Sequence, residues 1–341
     1  MRVTTLGKTG LRVSALGFGG IPIIRLVFDD AVHVVRHCFE GGITFFDTAN
    51  VYGDSEKKIG TALESVRDKV VFATKTLARD AETAAEHVNY SLENLKTSRI
   101  ELYQLHNLIN EAALDTVLAP GGAYEAVKKA RDDGRIAFIG FSSHHIPTAI
   151  KACRTGLFAT VQFPFNFIER DPADELFKVA EEMNMGIIAM KPLGGGLLER
   201  ADLCFGFLQQ YPNVIPIPGI QAKKELDEIV ALYRSPKPLA EADRKEIERI
   251  RAELGTKFCH RCEYCMPCEK GVMIPNVLGF RSFSRRLAPM AAIAMAEGPM
   301  QTVENCEECQ ECVEKCPYDL PIPDLLKEGL SLYKDFVKQH G

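Results

Sequence analysis

Short runs of β-branched and aromatic residues alternate along this chain with longer stretches in which apolar residues recur every three or four positions. Eight runs read as strands: residues 14–19, 43–48, 70–74, 100–105, 136–141, 160–163, 186–190 and 214–218. Helical spacing falls between them, most plainly over 29–40, 80–95, 123–133, 172–183 and 222–233. Strand followed by helix, eight times over, predicts an α/β protein: a (β/α)8 TIM barrel of parallel strands ringed by helices. An open doubly wound sheet alternates too, but it usually carries a Gly-rich phosphate turn after its first strand. Here that strand ends Gly17-Phe18-Gly19-Gly20, which does not fit Gly-x-Gly-x-x-Gly. Ahead of it, residues 3–13 read as a hairpin turning at Lys8-Thr9-Gly10 and placed to plug the barrel floor.

Past the last barrel helix, Ser235-Pro236-Lys237-Pro238 reads as a hinge, and a charged helix over 241–254 leads into a cysteine-rich region. The expected division is a barrel over residues 1–255 and a small helical domain over 256–341. A length of 341 residues suits a barrel of about 250 plus an appendage. The net charge of −5 offers no basic face for nucleic acid. The opening Met1-Arg2-Val3-Thr4-Thr5-Leu6-Gly7 is too polar and glycine-broken for a signal peptide. No apolar run nears the roughly 20 residues of a membrane span. The expectation is a cytoplasmic protein with neither a nucleic-acid nor a membrane partner.

Cysteine changes the picture most. Three of the 11 cysteines, Cys38, Cys153 and Cys204, stand alone, where buried inert thiols are the default; the rest crowd into the last quarter. One run is Cys259-x-x-Cys262-x-x-Cys265-x-x-Cys268. The other, Cys306-x-x-Cys309-x-x-Cys312-x-x-x-Cys316-Pro317, is the bacterial ferredoxin spacing. Such crowding in a reducing compartment favours metal over disulfides. Structural zinc also takes four thiolates but more often splits them into two pairs, so [4Fe–4S] clusters are expected, two of them. In two-cluster ferredoxins the fourth cysteine of a run ligates the other cluster. That rule puts Cys259, Cys262, Cys265 and Cys316 round one cluster, and Cys268, Cys306, Cys309 and Cys312 round the other. Residues 277–297 between the runs read as short helices, which makes the unit a helical, ferredoxin-like domain; Arg281, Arg285 and Arg286 there are surface charge, or neutralise cluster charge or dock a carrier.

At the C-terminal ends of the barrel strands, where barrels keep their catalytic groups, polar residues gather. The second strand ends at Asp47, with Tyr52 following; the third ends at Lys75 and the fourth at His106. Singly, each has a structural explanation; together, on three consecutive strand ends, they point to chemistry. The segments Asp47-Thr48-Ala49-x-x-Tyr52-Gly53-x-Ser55-Glu56, the Lys75 strand end and Leu102-Tyr103-Gln104-Leu105-His106 resemble the signatures of the aldo-keto reductase family. Gly140-Phe141-Ser142, Val161-Gln162 and Lys191-Pro192-Leu193-Gly194-Gly195-Gly196 extend the resemblance, which spans roughly residues 1–235. The cysteine extension is similar to a subgroup of that family with ferredoxin-like tails.

The resemblance implies an NAD(P)H-dependent oxidoreductase interconverting a small aldehyde, ketone or sugar and its alcohol. Tyr52 is then the general acid/base. Lys75 stabilises its phenolate, Asp47 holds Lys75, and His106 aligns the carbonyl oxygen. Cofactor contacts fall on Gly20, Ser142, Gln162, Met190, Lys191, Leu193, Gly195, Gly219, Gln221 and Glu225. Ser143 stands where an Asn is common, and Met190 where an aromatic ring often stacks. A carboxylate at Glu225, where an Arg is common, leans the preference to NADH. The resemblance makes a monomer the default.

Hydride transfer moves two electrons and a [4Fe–4S] cluster one. Three readings therefore stand: a carbonyl reductase with structural or sensing clusters, an electron-transfer enzyme coupled to a ferredoxin or flavoprotein, and a redox sensor.

Overall fold

The structure is a computed structural model that describes residues 1–255 and 257–341; Thr256, where the second domain is expected to open, lies outside the described residues. It divides into two compact units. The first is Met1–Gly194 with Leu198–Leu239, and the second is Gly195–Leu197 with Ala240–Gly341.

In the first unit, β1 (Val3–Thr5) and β2 (Arg12–Ser14) pair antiparallel as a hairpin. Eight strands follow: β3 (Phe18–Gly19), β4 (Phe45–Asp47), β5 (Val71–Thr76), β6 (Ile100–Leu105), β7 (Ile136–Ser142), β8 (Thr160–Pro164), β9 (Gly186–Met190) and β10 (Val214–Pro216). They pair in chain order, all parallel. The sheet closes on itself through a Gly19–Gly219 bridge, with the Gly17 and Gly19 amides donating to the Pro216 and Pro218 carbonyls at 2.9 and 2.8 Å. Prolines have no N–H to give, and this seam asks only for their oxygens. The outer helices are α1 (Phe28–Glu40), α2 (Ser55–Leu63), α3 (Ala81–Asn94), α4 (Glu111–Leu118), α5 (Ala123–Asp132), α6 (Ile146–Arg154), α7 (Leu176–Glu182), α8 (Ala201–Leu208) and α9 (Lys223–Arg234). The (β/α)8 expectation holds.

Two apolar layers result. The outer one packs helices against strands. The inner one joins Leu6 and Val13 of the hairpin to Phe45, Ala73, Leu102, Ile188, Ile215 and Ile217. Gly186 makes room: a Cβ there would lie 2.6 Å from the Leu6 side chain. The hairpin thus fills the barrel interior, as the sequence suggests.

Where boundaries differ from expectation, local chemistry explains it. The run 14–19 splits because the Ser14 hydroxyl donates to the Leu16 carbonyl at 2.6 Å and the Ser14 amide turns to Thr44 Oγ1 at 2.8 Å. Asp80 is the cap of α3 rather than its first residue, accepting from the Thr83 amide at 2.8 Å. The expected helix 172–183 breaks into a 3-10 turn, Asp171–Ala173, and α7.

The second unit holds α10 (Glu241–Leu254), α11 (Ile274–Arg286), α12 (Pro289–Gln301), α13 (Glu311–Glu314) and α14 (Ile322–His340). Its own core, including Val277, Phe280, Ala292, Met300, Leu320 and Leu326, is fully or nearly fully buried. No helix among the described residues is long and apolar enough to cross a membrane.

Candidate active site and cysteine centre

The barrel mouth is built round a buried ion pair. Asp47, at the end of β4, and Lys75, in β5, are 2% and 1% exposed, and Lys75 Nζ lies 2.6 Å from Asp47 Oδ1. Lys75 Nζ also donates to the Thr48 carbonyl at 2.5 Å. Gln104 Nε2, on the neighbouring strand, donates to Asp47 Oδ2 at 3.1 Å. Burial pushes the Asp47 carboxyl upward, and Lys75, Gln104 and Gln162 pull it back. A charge that deep persists because it is paired and its other oxygen is occupied.

Tyr52 sits above this pair on the β4–α2 loop, half-buried, with Lys75 Nζ 5.3 Å from its ring centroid. His106 meets the Tyr52 ring edge-on at 5.8 Å between centroids. Burial first, then the cations Lys75 and Arg79, push the imidazole down to about 3. Both causes favour the neutral ring. The structure brings all four expected residues to one mouth.

The α2 entry ties neighbouring loops together. Thr48 Oγ1 donates to Ser55 Oγ at 2.9 Å, and Ser55 Oγ donates to the Gly20 carbonyl at 2.8 Å. Glu56, buried, accepts from Thr74 Oγ1 at 2.6 Å. The Ser-Glu part of the motif is thus structural.

Ser142 and Gln162 are register partners on β7 and β8, both buried. Ser142 Oγ accepts from the Asn107 amide at 2.9 Å, and Gln162 Oε1 is buried with no hydrogen-bond partner among the described residues. An orphaned amide oxygen beside a hydroxyl fits a carboxamide ligand, since a buried acceptor left unmade is costly. Met190 ends β9, half-buried against the inner layer. Lys191 takes a left-handed φ of 54°, and its carbonyl accepts from buried Asn166 Nδ2 at 3.1 Å. Leu193 is half-buried beside it. A Cβ at Gly219 would lie 2.4 Å from Pro22. Gln221 and Glu225 stand at the start of α9, where Glu225 Oε2 accepts from the Gln221 and Ala222 amides at 2.9 and 3.1 Å. Arg25 Nη2 donates to Gln221 Oε1. The Glu225 carboxylate is thus engaged by its own helix and faced by Arg25.

Gln104, Arg79 and Asn166 are the residues that sequence reasoning passed over. Gln104 lay inside a quoted motif, and its alternation on β6 beside Lys75 was a usable signal. For Arg79 and Asn166, loop residues whose partners are distant in sequence, there was none.

Gly195 falls in the second unit, where Ser282 Oγ donates to its carbonyl at 3.2 Å. In that unit the eight clustered cysteines form two electrostatic groups. Cys265 is raised to about 12 by burial, then by Cys259, Cys262 and Cys316. Cys312 is raised by burial, then by Cys306, Cys309 and Cys268. Six of the eight, Cys259, Cys265, Cys268, Cys306, Cys312 and Cys316, pack against the apolar core; Cys309 is exposed. His260 stacks on Tyr318 with centroids 3.6 Å apart. Among the described residues no three His, Cys, Asp or Glu side chains converge as the ligands of a lone ion do. The fit to clusters therefore rests on the pairing of the thiols and on the four-by-four donor set. Cys38, Cys153 and Cys204 are buried in α1, α6 and α8, and burial pushes all three thiols upward, Cys153 to about 12.

Ionisable side chains gathered at the C-terminal mouth of a closed barrel stand where barrel enzymes keep their active sites, and the C-terminal thiol runs suit metal. The chain belongs to the aldo/keto reductase family, whose profile matches residues 15–204, and it carries a domain matching the 4Fe-4S dicluster profile over residues 258–321. It is 30% identical over 230 residues to "Uncharacterized oxidoreductase YrpG" of Bacillus subtilis, covering 58% of this chain and 68% of that one. It is 29% identical to "Probable aldo-keto reductase 1" of Glycine max, covering 71% and 86%. Among solved structures, an aldo-keto reductase from Bacillus halodurans in its holo form superposes with a TM-score of 0.62 at 22% identity, over 73% of this chain and 96% of that one. An aldo/keto reductase from Klebsiella pneumoniae, in complex with NADP and acetate, gives 0.63 at 20% identity, over 74% and 96%. The chain is thus an oxidoreductase of the aldo-keto reductase type.

Proposed function

We propose that this enzyme interconverts a small carbonyl compound and its alcohol, with Tyr52 as the group that gives and takes the oxygen-bound proton. The observation that carries the proposal is the buried Asp47–Lys75 pair lying against the Tyr52 ring, with neutral His106 at its edge. Lys75 is held by Asp47 and the Thr48 carbonyl, so its charge is fixed beside the phenol. A fixed cation there favours phenolate and eases proton transfer from an acid whose ordinary value is near 10. His106, uncharged, orients the carbonyl oxygen by hydrogen bonding without competing for the proton. A bound NAD(P)H supplies the hydride that the carbonyl carbon gains. Ser142 and Gln162 would hold its carboxamide end. Met190, Lys191 and Leu193 would line the loop beside it, with Gly20, Gly219, Gln221 and Glu225 on the remaining strand ends. The Klebsiella neighbour's complex with NADP supports the phosphorylated dinucleotide, and the engagement of Glu225 by its own helix weakens the repulsion that favoured NADH.

The test is turnover of a carbonyl panel with NADPH and NADH by the cluster-loaded protein and by Tyr52→Phe. Loss of about 10²–10⁴-fold in kcat in Tyr52→Phe, with nucleotide binding kept, is the expected result. Equal turnover by the two proteins would overturn the role of Tyr52.

A second reading has its own support. The grouping of Cys259, Cys262, Cys265 with Cys316, and of Cys268 with Cys306, Cys309 and Cys312, suits two [4Fe–4S] clusters, and exposed Cys309 suits exchange with an outside carrier. On that reading a ferredoxin or flavoprotein trades electrons with the chain. Bleaching of the cluster absorbance by NADPH, rather than by dithionite alone, is what it requires.

A further inference from the structure

Two complementary atoms at the barrel mouth are left over from the hydrogen bonding. His106 Nδ1 is buried with no partner among the described residues, and so is Arg79 Nη1. They belong to residues already joined. Arg79 Nη2 donates to the carbonyls of His106 and Asn107 at 3.0 and 2.8 Å. Asn107 sits at a left-handed φ of 56°, its amide donating to Ser142 Oγ at 2.9 Å and its Oδ1 lying 3.1 Å from His144 Nδ1. The backbone under the imidazole is therefore pinned from two sides. Arg79 is perturbed by burial alone, downward, with no carboxylate to offset it.

A buried donor left unmade costs about 1–3 kcal/mol, and so does a buried acceptor. A neutral imidazole has one of each, and the partner of one nitrogen decides where the proton sits. We infer that Arg79 is a positioning residue: its Nη1–H serves His106 Nδ1 through one bridging water, and so keeps the ring proton on Nε2, the single N–H left for a substrate oxygen. The opposite tautomer would present a lone pair to the carbonyl oxygen and repel it. The charged and titratable groups round the ring agree. Lys75 on β5 and Arg79 after it are both cationic, Asp47 is taken up by Lys75, Tyr52 lies nearly perpendicular to the ring, and His144 is engaged by Asn107. This inference rests on the orienting role proposed for His106.

The experiment uses the full chain with its clusters loaded and oxidised and its histidines labelled with 15N. His106→Gln assigns the signal. In the parent protein His106 should show the Nε2–H tautomer and no titration between about pH 5 and 9. In Arg79→Met the tautomers should mix while the ring stays neutral over that range, since burial and Lys75 remain, and kcat/KM should fall about tenfold or more. Arg79→Gln keeps a neutral N–H donor and should retain more of the Nε2–H tautomer, which separates the effect from misfolding. Unchanged 15N shifts in Arg79→Met would overturn the inference. A changed tautomer with unchanged kcat/KM would uphold the hold of Arg79 on the ring and overturn instead the role given to His106.

Discussion

At the scale of single residues, the mouth is governed by which charges have partners. Lys75→Met leaves the Asp47 carboxylate buried without its cation, and breaking such a pair costs about 3–5 kcal/mol. A fall of that size in the urea denaturation free energy is expected. The double change Asp47→Asn with Lys75→Met should recover part of it and none of the turnover. His106 makes a pH prediction. Its folded value of about 3 stands below the ordinary 6.5, so from pH 6.5 downward the unfolded chain takes up a proton that the folded chain refuses. Its contribution to stability is complete above pH 6.5 and is lost as pH falls toward 3. His106→Gln should flatten the acid side of the stability profile by about 1.4 kcal/mol per pH unit. An unchanged slope would show that another group governs it.

At the scale of elements, the hairpin β1–β2 acts as a stopper. Leu6 reaches into the barrel against Gly186 and is itself part of the inner layer, with Phe45, Leu102 and Ile188. Leu6→Ala should cost about 2–5 kcal/mol by opening a cavity, with kcat preserved because the mouth lies at the other end of the strands. A loss of kcat without a loss of stability would contradict this. Elements of this kind were legible in the chain because strand and helix periods differ so plainly; β6 and β9 fall where the runs 100–105 and 186–190 lie. The candidate catalytic residues were legible because strand ends are marked by a switch from apolar to ionisable side chains. What stayed hidden depends on contacts between distant loops. The Arg79 guanidinium reaches the β6–α4 loop, Asn166 reaches the turn after β9, and the carboxylate of Glu225 turns back on its own helix start. A one-dimensional pattern holds no trace of which loop faces which. The split of the run 14–19 was hidden for a related reason: a single serine hydroxyl bends a segment whose composition is all strand.

At the scale of the whole molecule, the thiol groups cut across the order of the sequence, and pairs of substitutions can test the proposed exchange. Cys265→Ser with Cys316→Ser removes two ligands from one group, and about four of the eight irons of two clusters should remain. Cys265→Ser with Cys268→Ser removes one from each group, and nearly all iron should go. The reverse pattern, counted as iron and sulfide per chain, would mean that each run keeps its own cluster.

A ribosome makes this chain from one end, and the proposed crossing of the thiols would turn that into a schedule. Residues 1–239 supply every strand of the barrel before the first ligand of the cysteine runs has been made. On the proposed exchange, Cys259, Cys262 and Cys265 then emerge as an incomplete trio lacking Cys316, while Cys268 emerges without Cys306, Cys309 and Cys312. Neither foursome is complete until the last run leaves the ribosome. With that exchange, cluster loading can finish only after every strand of the barrel has been made. A chain that stalls between the two runs holds four bare thiols, Cys259, Cys262, Cys265 and Cys268, a ready trap for zinc or oxidant in place of iron.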